Sequence, residues 1–584
     1  MKSQFAKLGG IAVLVAVAVA VFWDSALFSI SIYTSTPLLF WALAGIAIII
    51  GVKISIHRDP HWSGTIVVAS SMLAIVGLPL LRGSYMIGKG DPLTHVGWTK
   101  DILRSSIVAT DLLYPLLHLT AAQLTRVTNL EPNRSLLLIV FVFVVLFVVS
   151  SGVAVRQIIS IIEAPGQQAA TIGVFSGLLF LPINHIGVYL MPHPTSQAVL
   201  FYPLLIFVTI QAATTRSRRW KFLVLLTTAT LILLHPMHAI IYTAILGAVS
   251  IASHFLSWCY EEWSIHFPLS LSVFLGVATA VWTLEHRRFW VAASGYIGDI
   301  LFIDIGGSSR VDSTAGSLTD LGTSVVELGT RLFTVSAVFV ALTISFVFWL
   351  FLRKHSRKER GKTNLVLGFA VSLIPISLVS AFFIVIRPNT IPFRFLGVLM
   401  VFGTILGGSA LAIINKKLPA KISKEALSVF FVIMLLVSVP VVYPSPYILK
   451  GSGEIRQPAV QSYESTAEFG AEENKFRSVR TPPERYFQAV FGVSEATRRG
   501  LLVNGRVPAS RQVPDHFANR SLSSEYSDDF YLAIHIRDKI LETDLYDGFR
   551  YNEGDFRYVE SDPRINRVYD SRFVVLYRVE AKRQ

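Results

Sequence analysis

The chain has 584 residues, of which 52% are hydrophobic and only 15% are charged, and its mean hydropathy is +0.56. Because a soluble domain carries about a quarter charged residues, this composition excludes an ordinary soluble protein and indicates a polytopic membrane protein. The single cysteine, Cys259, excludes both a disulfide within the chain and a thiolate metal cluster.

The formal charge of +14 is unevenly distributed along the chain. Residues 1–443 hold 31 Lys and Arg against 17 Asp and Glu, whereas residues 444–584 hold 21 of each. A basic excess spread over the loops between apolar segments is what the positive-inside rule produces, and it argues against a nucleic-acid-binding domain. We therefore expect membrane lipids and no nucleic acid as partners.

About thirteen apolar segments are predicted to cross the membrane as helices, because a bilayer requires roughly 20 apolar residues per crossing. They lie near Leu8–Ser29, Pro37–Ile56, Gly64–Leu81, Ser135–Val155, Ala170–Leu190, Ala198–Ala213, Phe222–His235, Ala239–Ser257, Pro268–Leu284, Leu332–Leu352, Asn364–Ile386, Phe395–Ile414 and Leu427–Val442. The predicted fold class is an all-α polytopic membrane protein with a transmembrane domain over residues 1–444.

Residues 445–584 are predicted to form a small extracytoplasmic α+β domain, since they lack a further apolar segment and have the length of a domain. Helices are predicted over residues 483–500 and 523–543. A strand, a turn at Asp570-Ser571 and a second strand are predicted over residues 565–580.

Four basic loops, "KISIHRDPH", "TTRSRRWK", "RKHSRKERGK" and "NKKLPAKISK", alternate along the chain so that they share one face of the membrane. The positive-inside rule predicts that this face and the N-terminus are cytoplasmic. The loops Arg82–Arg134, "MPHPTSQ" and Glu285–Arg331 and residues 445–584 are then predicted to be extracytoplasmic. The sequon Asn133-Arg134-Ser135 falls on that outer face. The stretch Asp111–Leu130 has one apolar side and is predicted to be a helix lying in the membrane interface.

Ionisable residues from separate segments map to the outer face, where a charge is costly unless it is paired, solvated or functional. They are Asp91, His95, Lys100, Asp101, His193, His235, His238, Glu285, Arg387 and Arg394. Sugar transfer from a lipid phosphate requires such groups. A carboxylate can take the proton of the acceptor hydroxyl, and guanidinium groups can stabilise the departing phosphate.

Asp91 is predicted to be the general base, because it lies just beyond the third span and Pro92 stiffens its backbone. His95 would share a face with Asp91 if the loop is helical, and it is predicted to orient Asp91 or to contact phosphate. Gly-Asp-Pro is also ordinary turn chemistry, and Asp101 is the alternative base.

The remaining polar residues are predicted to contact the donor phosphate or its sugar. Arg394 is the preferred phosphate ligand, although an arginine at a helix end can also simply extend towards the interface. Lys100 and Asp101 can alternatively cap the following segment. The further predicted contacts are Glu285, Arg387, His235 and His238.

The stretch "GDPLTH", Gly90 to His95, resembles the acidic motif of the GT-C superfamily of integral membrane glycosyltransferases, in the D-x-x-x-H form of archaeal members. "LHPMHA" and "RVYDSRFVVLYRV" also resemble archaeal membrane glycosyltransferases, and the whole-chain architecture is similar to that superfamily, which includes the protein O-mannosyltransferases. The motif follows the third span rather than the first, however, and the tail has no Trp-Trp-Asp triplet, which argues against an oligosaccharyltransferase.

The resemblance implies a multi-pass cell-membrane glycosyltransferase that moves a sugar, mannose by preference, from a dolichyl or polyprenyl phosphate. The implied acceptor is a glycan on a surface glycoprotein, such as an S-layer protein, or a lipid-linked glycan. The resemblance also implies that an acidic residue of the first large outer loop is catalytic, which fits Asp91.

No cofactor is firmly predicted, and a divalent cation, Mg²⁺ or Mn²⁺, stays open. His235 and His238 lie three residues apart, a spacing compatible with a metal ligand pair, a phosphate contact or structural histidines. The alternatives to a glycosyltransferase are a polysaccharide polymerase or ligase with similar parts, a transporter or flippase of lipid-linked glycans, and a non-catalytic scaffold.

Overall fold

The computed structural model describes residues 2–23, 28–57, 61–88, 90–163, 168–215, 217–259, 269–287, 289–291, 293–294, 316–352, 357–386, 391–469, 476–502 and 512–582. Most of the first 440 residues form apolar helices, and the C-terminal region combines short helices with a small sheet. The protein is therefore an all-α multi-span membrane protein with a small α+β C-terminal region, as the sequence predicts.

Eight helices of the described residues are long and apolar enough to cross a membrane. They are α1 (Lys2–Phe22), α2 (Leu38–His57), α7 (Pro132–Ile162), α9 (Pro194–Thr215), α13 (Val325–Leu352), α14 (Arg357–Ile386), α15 (Ile391–Lys417) and α16 (Ala420–Ser438). The other five predicted spans also contain helices, namely α3 (His61–Val76), α8 (Ala169–Leu178), α10 (Arg218–Leu234), α11 (Pro236–Cys259) and α12 (Leu269–Leu284). Each of the thirteen predicted segments thus contains a helix.

Small residues let the apolar helices approach one another closely. A Cβ on Gly64 of α3 would lie 2.4 Å from the carbonyl oxygen of Gly51 on α2. A Cβ on Gly173 of α8 would lie 2.8 Å from the Cα of Gly152 on α7. Such close backbone contact is typical of helix pairs in membranes, where van der Waals packing replaces the hydrophobic effect as the driving force.

The fifth predicted span, Ala170–Leu190, is only half helical, which corrects its predicted bounds. Helix α8 ends at Leu178, and Phe180 and His185 adopt positive φ angles of 50° and 53°. The Asn184 side-chain oxygen accepts the N–H groups of residues 186, 187 and 188 at 3.1, 2.9 and 3.2 Å, which closes a tight loop. Irregular backbone is tolerated at membrane depth when protein surrounds it, and this loop is mostly buried.

The loop of residues 82–134, which is predicted to be extracytoplasmic and is named the first outer loop, is folded against the C-terminal region. It follows α4 (Leu78–Leu81) and contains β1 (Met86–Ile87), α5 (Asp91–Leu103) and α6 (Leu116–Thr128). Strand β1 pairs antiparallel with β2 (Glu454–Ile455). Helix α6 lies within the stretch predicted to form an interfacial helix.

The C-terminal region contains a four-stranded sheet in the order β3-β4-β6-β5, with β3 parallel to β4 and the other pairs antiparallel. The strands are β3 (Phe476–Ser478), β4 (Phe530–His535), β5 (Ile565–Asp570) and β6 (Val574–Val579). The helices are α17 (Gln457–Thr466), α18 (Pro483–Phe491), α19 (Val493–Arg498), α20 (Leu522–Glu525), α21 (Ile536–Ile540) and α22 (Glu553–Ser561).

Two of the three predictions for this region need correction. The strand pair over residues 565–580 is confirmed as β5 and β6. The helix predicted over 483–500 is divided into α18 and α19 at Gly492, which has a φ of 89°. The helix predicted over 523–543 is wrong in its centre, because Phe530–His535 forms a strand between two partners. Pairing on both sides overrides the local helical pattern.

The predicted inner and outer loops separate to opposite ends of the helices. At one end, His57 Nε2 lies 3.0 Å from Ser428 Oγ, and Lys416 bonds Glu163 at 3.0 Å. The loop Arg82–Arg134 meets the C-terminal region at the other end. The assignment of either end to the cytoplasm stays a prediction. Asn133 of the sequon Asn133-Arg134-Ser135 is buried and donates to the Tyr85 carbonyl at 3.0 Å, so its position does not suit glycosylation.

Candidate functional site

A cavity of about 380 Å³ lies between the C-terminal region and the ends of the helices that face it. Its walls come from the loop 185–193, the first residue of α5, the first turn of α15, the segment 442–453 and α21. The ionisable and phenolic groups on these walls are Asp91, His185, Tyr189, His193, Arg394, Tyr443, Lys450, Arg537 and Tyr546. The structure therefore brings Asp91 and Arg394 into one cavity, although they lie far apart in the sequence.

Local backbone geometry places Asp91 at the cavity wall. Gly90 has a φ of 72°, which side chains rarely adopt, and Pro92 occupies the first turn of α5. The Asp91 carboxylate is 55% exposed and lies 3.1 Å from the Arg485 guanidinium. The same guanidinium donates to Thr94 Oγ1 at 2.5 Å, so one arginine of α18 holds both residues of α5.

Three cationic side chains face the cavity without a carboxylate partner. Among the described residues, no Asp or Glu oxygen lies within 4.0 Å of Arg394, Lys450 or Arg537. The Lys450 ammonium donates to the His185 carbonyl, and Arg537 donates to the Ser452 carbonyl. Arg537 is buried, and Arg394 and Lys450 are partly buried. Because a charge that is removed from water without a partner is costly, this arrangement favours a site for an anion.

Burial changes the acid–base behaviour of these groups. It lowers the pKa of Lys450 to about 8 and lowers the pKa of Arg537, which is only 2% exposed. Burial, and next the charge of Arg394, lower the pKa of His193 to about 4. His193 is therefore neutral at pH 7, so it can exchange hydrogen bonds with a ligand but adds no positive charge.

A cluster of histidines lies behind the cavity wall. The His95 ring centroid is 6.3 Å from that of His193, and His95 Nδ1 lies 2.9 Å from Nε2 of His118. The His235 and His238 rings are 5.0 Å apart, and both are close enough to His193 to interact with it electrostatically. The predicted residues His95, His235 and His238 thus support the wall rather than line the cavity.

The described part of the chain brings no three His, Cys, Asp or Glu side chains together in a metal-binding arrangement. The possible metal site at His235 and His238 therefore lacks a third ligand of these types among the described residues. The charged groups that line the cavity are the Asp91 carboxylate and the cations of Arg394, Lys450 and Arg537.

Lys100 and Asp101 contact the C-terminal region and do not line the cavity that holds Asp91, so their contact with the donor stays a prediction. Lys100 Nζ donates to the Val490 carbonyl at 2.9 Å. Asp101 accepts from the Ser494 N–H at 2.9 Å and so caps α19. Burial raises the pKa of Asp101, and burial lowers the pKa of Lys100 to about 8. Both residues fix α5 against α18 and α19.

Glu285 lines a different cavity, of about 550 Å³, between the end of α12 and the segment 110–114. His286 joins these two elements through the carbonyls of Trp282, at 2.8 Å, and Thr110, at 3.0 Å. Glu285 therefore does not line the cavity that holds Asp91, and its contact with the donor stays a prediction. Arg387 lies outside the described residues.

Several residues of the site were not predicted. Lys450, Arg537 and Arg485 are single basic residues in a charge-balanced region, and nothing in their sequence neighbourhood marks them. Asn184 carries a usable signal, because an amide within the apolar stretch "LPINHIGVYL" breaks the pattern of a span. Its Nδ2 donates to the Phe393 carbonyl at 2.9 Å, which fixes the loop beside Arg394.

No protein-family model and no curated protein sequence matches the chain. Among solved structures, the chain is similar to the crystal structure of the Archaeoglobus fulgidus oligosaccharyltransferase tethered to an acceptor peptide with an NVT sequon through a disulfide bond. The TM-score is 0.45 and the sequence identity is 12%, over 89% of this chain and 74% of that chain. At this level of similarity, the activity has to be argued from the residues of the site.

Proposed function

We propose that the protein is a membrane glycosyltransferase that moves a sugar from a dolichyl- or polyprenyl-phosphate-linked donor to a glycan or glycoprotein on the outer face of the membrane. One observation carries this proposal. A cavity at the outer end of the helices holds a half-exposed carboxylate together with three cations that have no carboxylate partner among the described residues.

The carboxylate and the cations have different roles in the proposed transfer reaction. Asp91 accepts the proton of the acceptor nucleophile while that atom forms its bond to the anomeric carbon. The bond from the anomeric carbon to the phosphate oxygen breaks, and its electron pair stays on that oxygen. Arg394 stabilises the charge that develops there. A single displacement of this kind inverts the anomeric centre.

The surroundings of the cavity suit a donor that is held in the membrane. A small apolar pocket, lined by Val76 and Leu80 on one side and Leu137 and Phe141 on the other, shares Ile87 and Leu190 with the cavity. We infer that the lipid chain lies between α4 and α7 and brings its phosphate to Arg394. Positioning by the bilayer supplies the proximity that catalysis requires.

The position of the charges favours an enzyme over a flippase. Arg394 lies in the first turn of α15 and Asp91 in the first outer loop, so the polar groups lie at the ends of the helices. A transporter of the inverted-repeat type places its binding site near the middle of the bilayer, between broken helices. The polymerase or ligase alternative uses the same chemistry and differs only in the acceptor.

The test is to delete the gene and complement it with Asp91→Asn. Asparagine has the shape of aspartate but cannot accept the proton, so we expect truncated surface glycans and accumulation of the lipid-linked donor, measured by mass spectrometry. Asp111→Asn, a carboxylate of the same loop that lines the second cavity, is the matched control and should restore complete glycans. Complete glycans with Asp91→Asn, at matched expression, would contradict the role of Asp91, and an unchanged glycan profile in the deletion strain would contradict glycosyl transfer.

A further inference from the structure

We propose that the cavity binds a lipid-linked diphosphate, with Lys450 and Arg537 holding a second phosphate group beside the one that Arg394 contacts. This inference rests on the proposed function and narrows its donor to the diphosphate class. It differs from the monophosphate donor that the sequence resemblance implies.

The charge of the cavity is the first argument. Asp91 is paired with Arg485, so its negative charge is offset outside the set of cavity cations. Arg394, Lys450 and Arg537 then contribute three positive charges to a space of about 380 Å³. A sugar joined to a lipid through one phosphate carries one negative charge, and a sugar joined through a diphosphate carries two. The single charge of the monophosphate would offset only one of the three cavity cations, and charges that are not offset are costly in partly buried surroundings.

The change of charge during the reaction is the second argument. When the bond between the anomeric carbon and the phosphate oxygen breaks, the oxygen keeps the electron pair and the lipid product gains one negative charge. The departing lipid diphosphate therefore carries three charges and matches the three cations. An enzyme accelerates a reaction by binding the developing charge more tightly than the ground state, and the cavity has the charge that this leaving group requires.

The fixation of the two additional cations is the third argument. Lys450 is held by the His185 carbonyl and lies 5.7 Å from the Tyr189 ring centroid, while Arg537 is held by the Ser452 carbonyl. Each bond uses one N–H group of the cation and leaves the others available for a ligand. Arg537 Nε is buried and has no hydrogen-bond partner within the described structure. Cations held in advance can bind phosphate oxygens without a further ordering cost.

The first test measures binding of two inorganic probes to the purified full-length protein. We expect inorganic pyrophosphate to bind about tenfold more tightly than inorganic phosphate, because its second phosphate group contacts Lys450 and Arg537 while the first contacts Arg394. Lys450→Met should reduce this ratio to about threefold or less, and Lys450→Arg should retain it, since it keeps the charge. Lys539→Met, an exposed lysine of the same helix as Arg537, is the matched control and should leave the ratio unchanged. Equal binding of the two probes, or an unchanged ratio in Lys450→Met, would contradict the proposal.

The second test needs no variant and separates this inference from the proposed function. Lipid-linked glycans from cells lacking the protein are divided by anion exchange into monophosphate and diphosphate classes, and each class is offered to the protein. Transfer from the diphosphate class supports both proposals. Transfer only from the monophosphate class overturns the diphosphate inference and leaves the proposed function intact. Selective pyrophosphate binding without transfer from either class keeps the diphosphate site and contradicts glycosyl transfer.

Discussion

Lys450 is the cavity cation whose charge responds to pH in an accessible range. Burial lowers its pKa to about 8, so the unliganded side chain is mostly protonated at pH 7 and mostly neutral at pH 9. Its position after the last apolar helix, beside the His185 carbonyl, makes it part of the anion site rather than of a surface loop. Binding of an anion to this site should therefore be linked to the proton on Lys450.

We expect the affinity of the protein for sulfate to fall as pH rises from 7 to 9. Sulfate keeps the same charge between pH 7 and 9, so a change in affinity must come from a change in the protonation of the protein. Loss of one of three cations should weaken binding by about tenfold, as measured by isothermal titration calorimetry.

Lys450→Arg provides the control for this prediction, because arginine stays protonated at pH 9. The variant should bind sulfate with nearly constant affinity between pH 7 and 9. A fall in affinity of the same size in the variant would show that another group is responsible and would contradict the assignment of the titration to Lys450.

The sequence predicts some residues of the site and misses others for a physical reason. Asp91 and Arg394 lie next to apolar segments, where any charge requires an explanation, and both line the cavity. Lys450 and Arg537 belong to a region with equal numbers of acidic and basic residues, where one more cation is ordinary. Glu285 also lies next to an apolar segment, but it lines another cavity. A charge at the end of a span predicts which face of the membrane the residue is on, but it does not predict the position on that face.

The contact between α5 and α18 is the element-scale feature that connects the C-terminal region to Asp91. A Cβ on Gly97 would lie 2.5 Å from the Gln488 carbonyl oxygen, so only glycine permits the observed approach. Arg485 extends from α18 to the Asp91 carboxylate and to Thr94. The Asp91 carboxylate is thereby held by a residue of the C-terminal region, and Arg485 acts as a positioning residue.

We expect Arg485→Met to lower kcat by about 10- to 100-fold, because a carboxylate that loses its orientation loses much of the advantage of proximity. The KM for the lipid donor should change little, since Arg485 contacts Asp91 rather than the proposed phosphate site. Arg485→Lys should recover part of the rate, because it restores one hydrogen bond of the pair. Steady-state transfer kinetics provide both constants.

Arg498→Met is the matched control, because Arg498 is an exposed arginine of the neighbouring helix whose described bonds go to Glu495. It should leave both kcat and KM unchanged. An equal loss of rate in Arg485→Met and Arg498→Met, or a large increase in KM alone, would contradict a positioning role for Arg485.

Local patterns predict most elements, and they fail where one tertiary contact decides the conformation. Thirteen predicted spans contain helices because their apolar runs are long. Helix α8 ends before the predicted span does, because the Asn184 side-chain oxygen accepts three backbone N–H groups in the loop that follows. The mean hydropathy of the segment does not reveal this contact. The strand Phe530–His535 forms because β3 and β6 pair with it. Both partners are distant in sequence, so the local residue pattern does not predict the pairing.

At the scale of the whole molecule, the site belongs to neither part alone. The apolar helices provide Arg394 and the loop 185–193, and the first outer loop provides Asp91. The C-terminal region provides Arg537 and, through Arg485, the orientation of Asp91. A buried ion pair also joins the parts, with Arg82 Nη2 3.8 Å from a Glu454 carboxylate oxygen. The C-terminal region therefore completes the cavity, and the proposed transfer reaction would depend on it through Arg537 and Arg485.

Asp91 is proposed to be the base of a sugar transfer within this cavity. Single-turnover transfer by the purified full-length protein, with lipid-linked glycan bound in advance, tests it most directly. Asp91→Asn should lower the rate of the chemical step by about 10²- to 10⁴-fold, the usual contribution of a general base, while inorganic pyrophosphate still binds. A variant that transfers sugar at the rate of the unmodified protein would contradict the account.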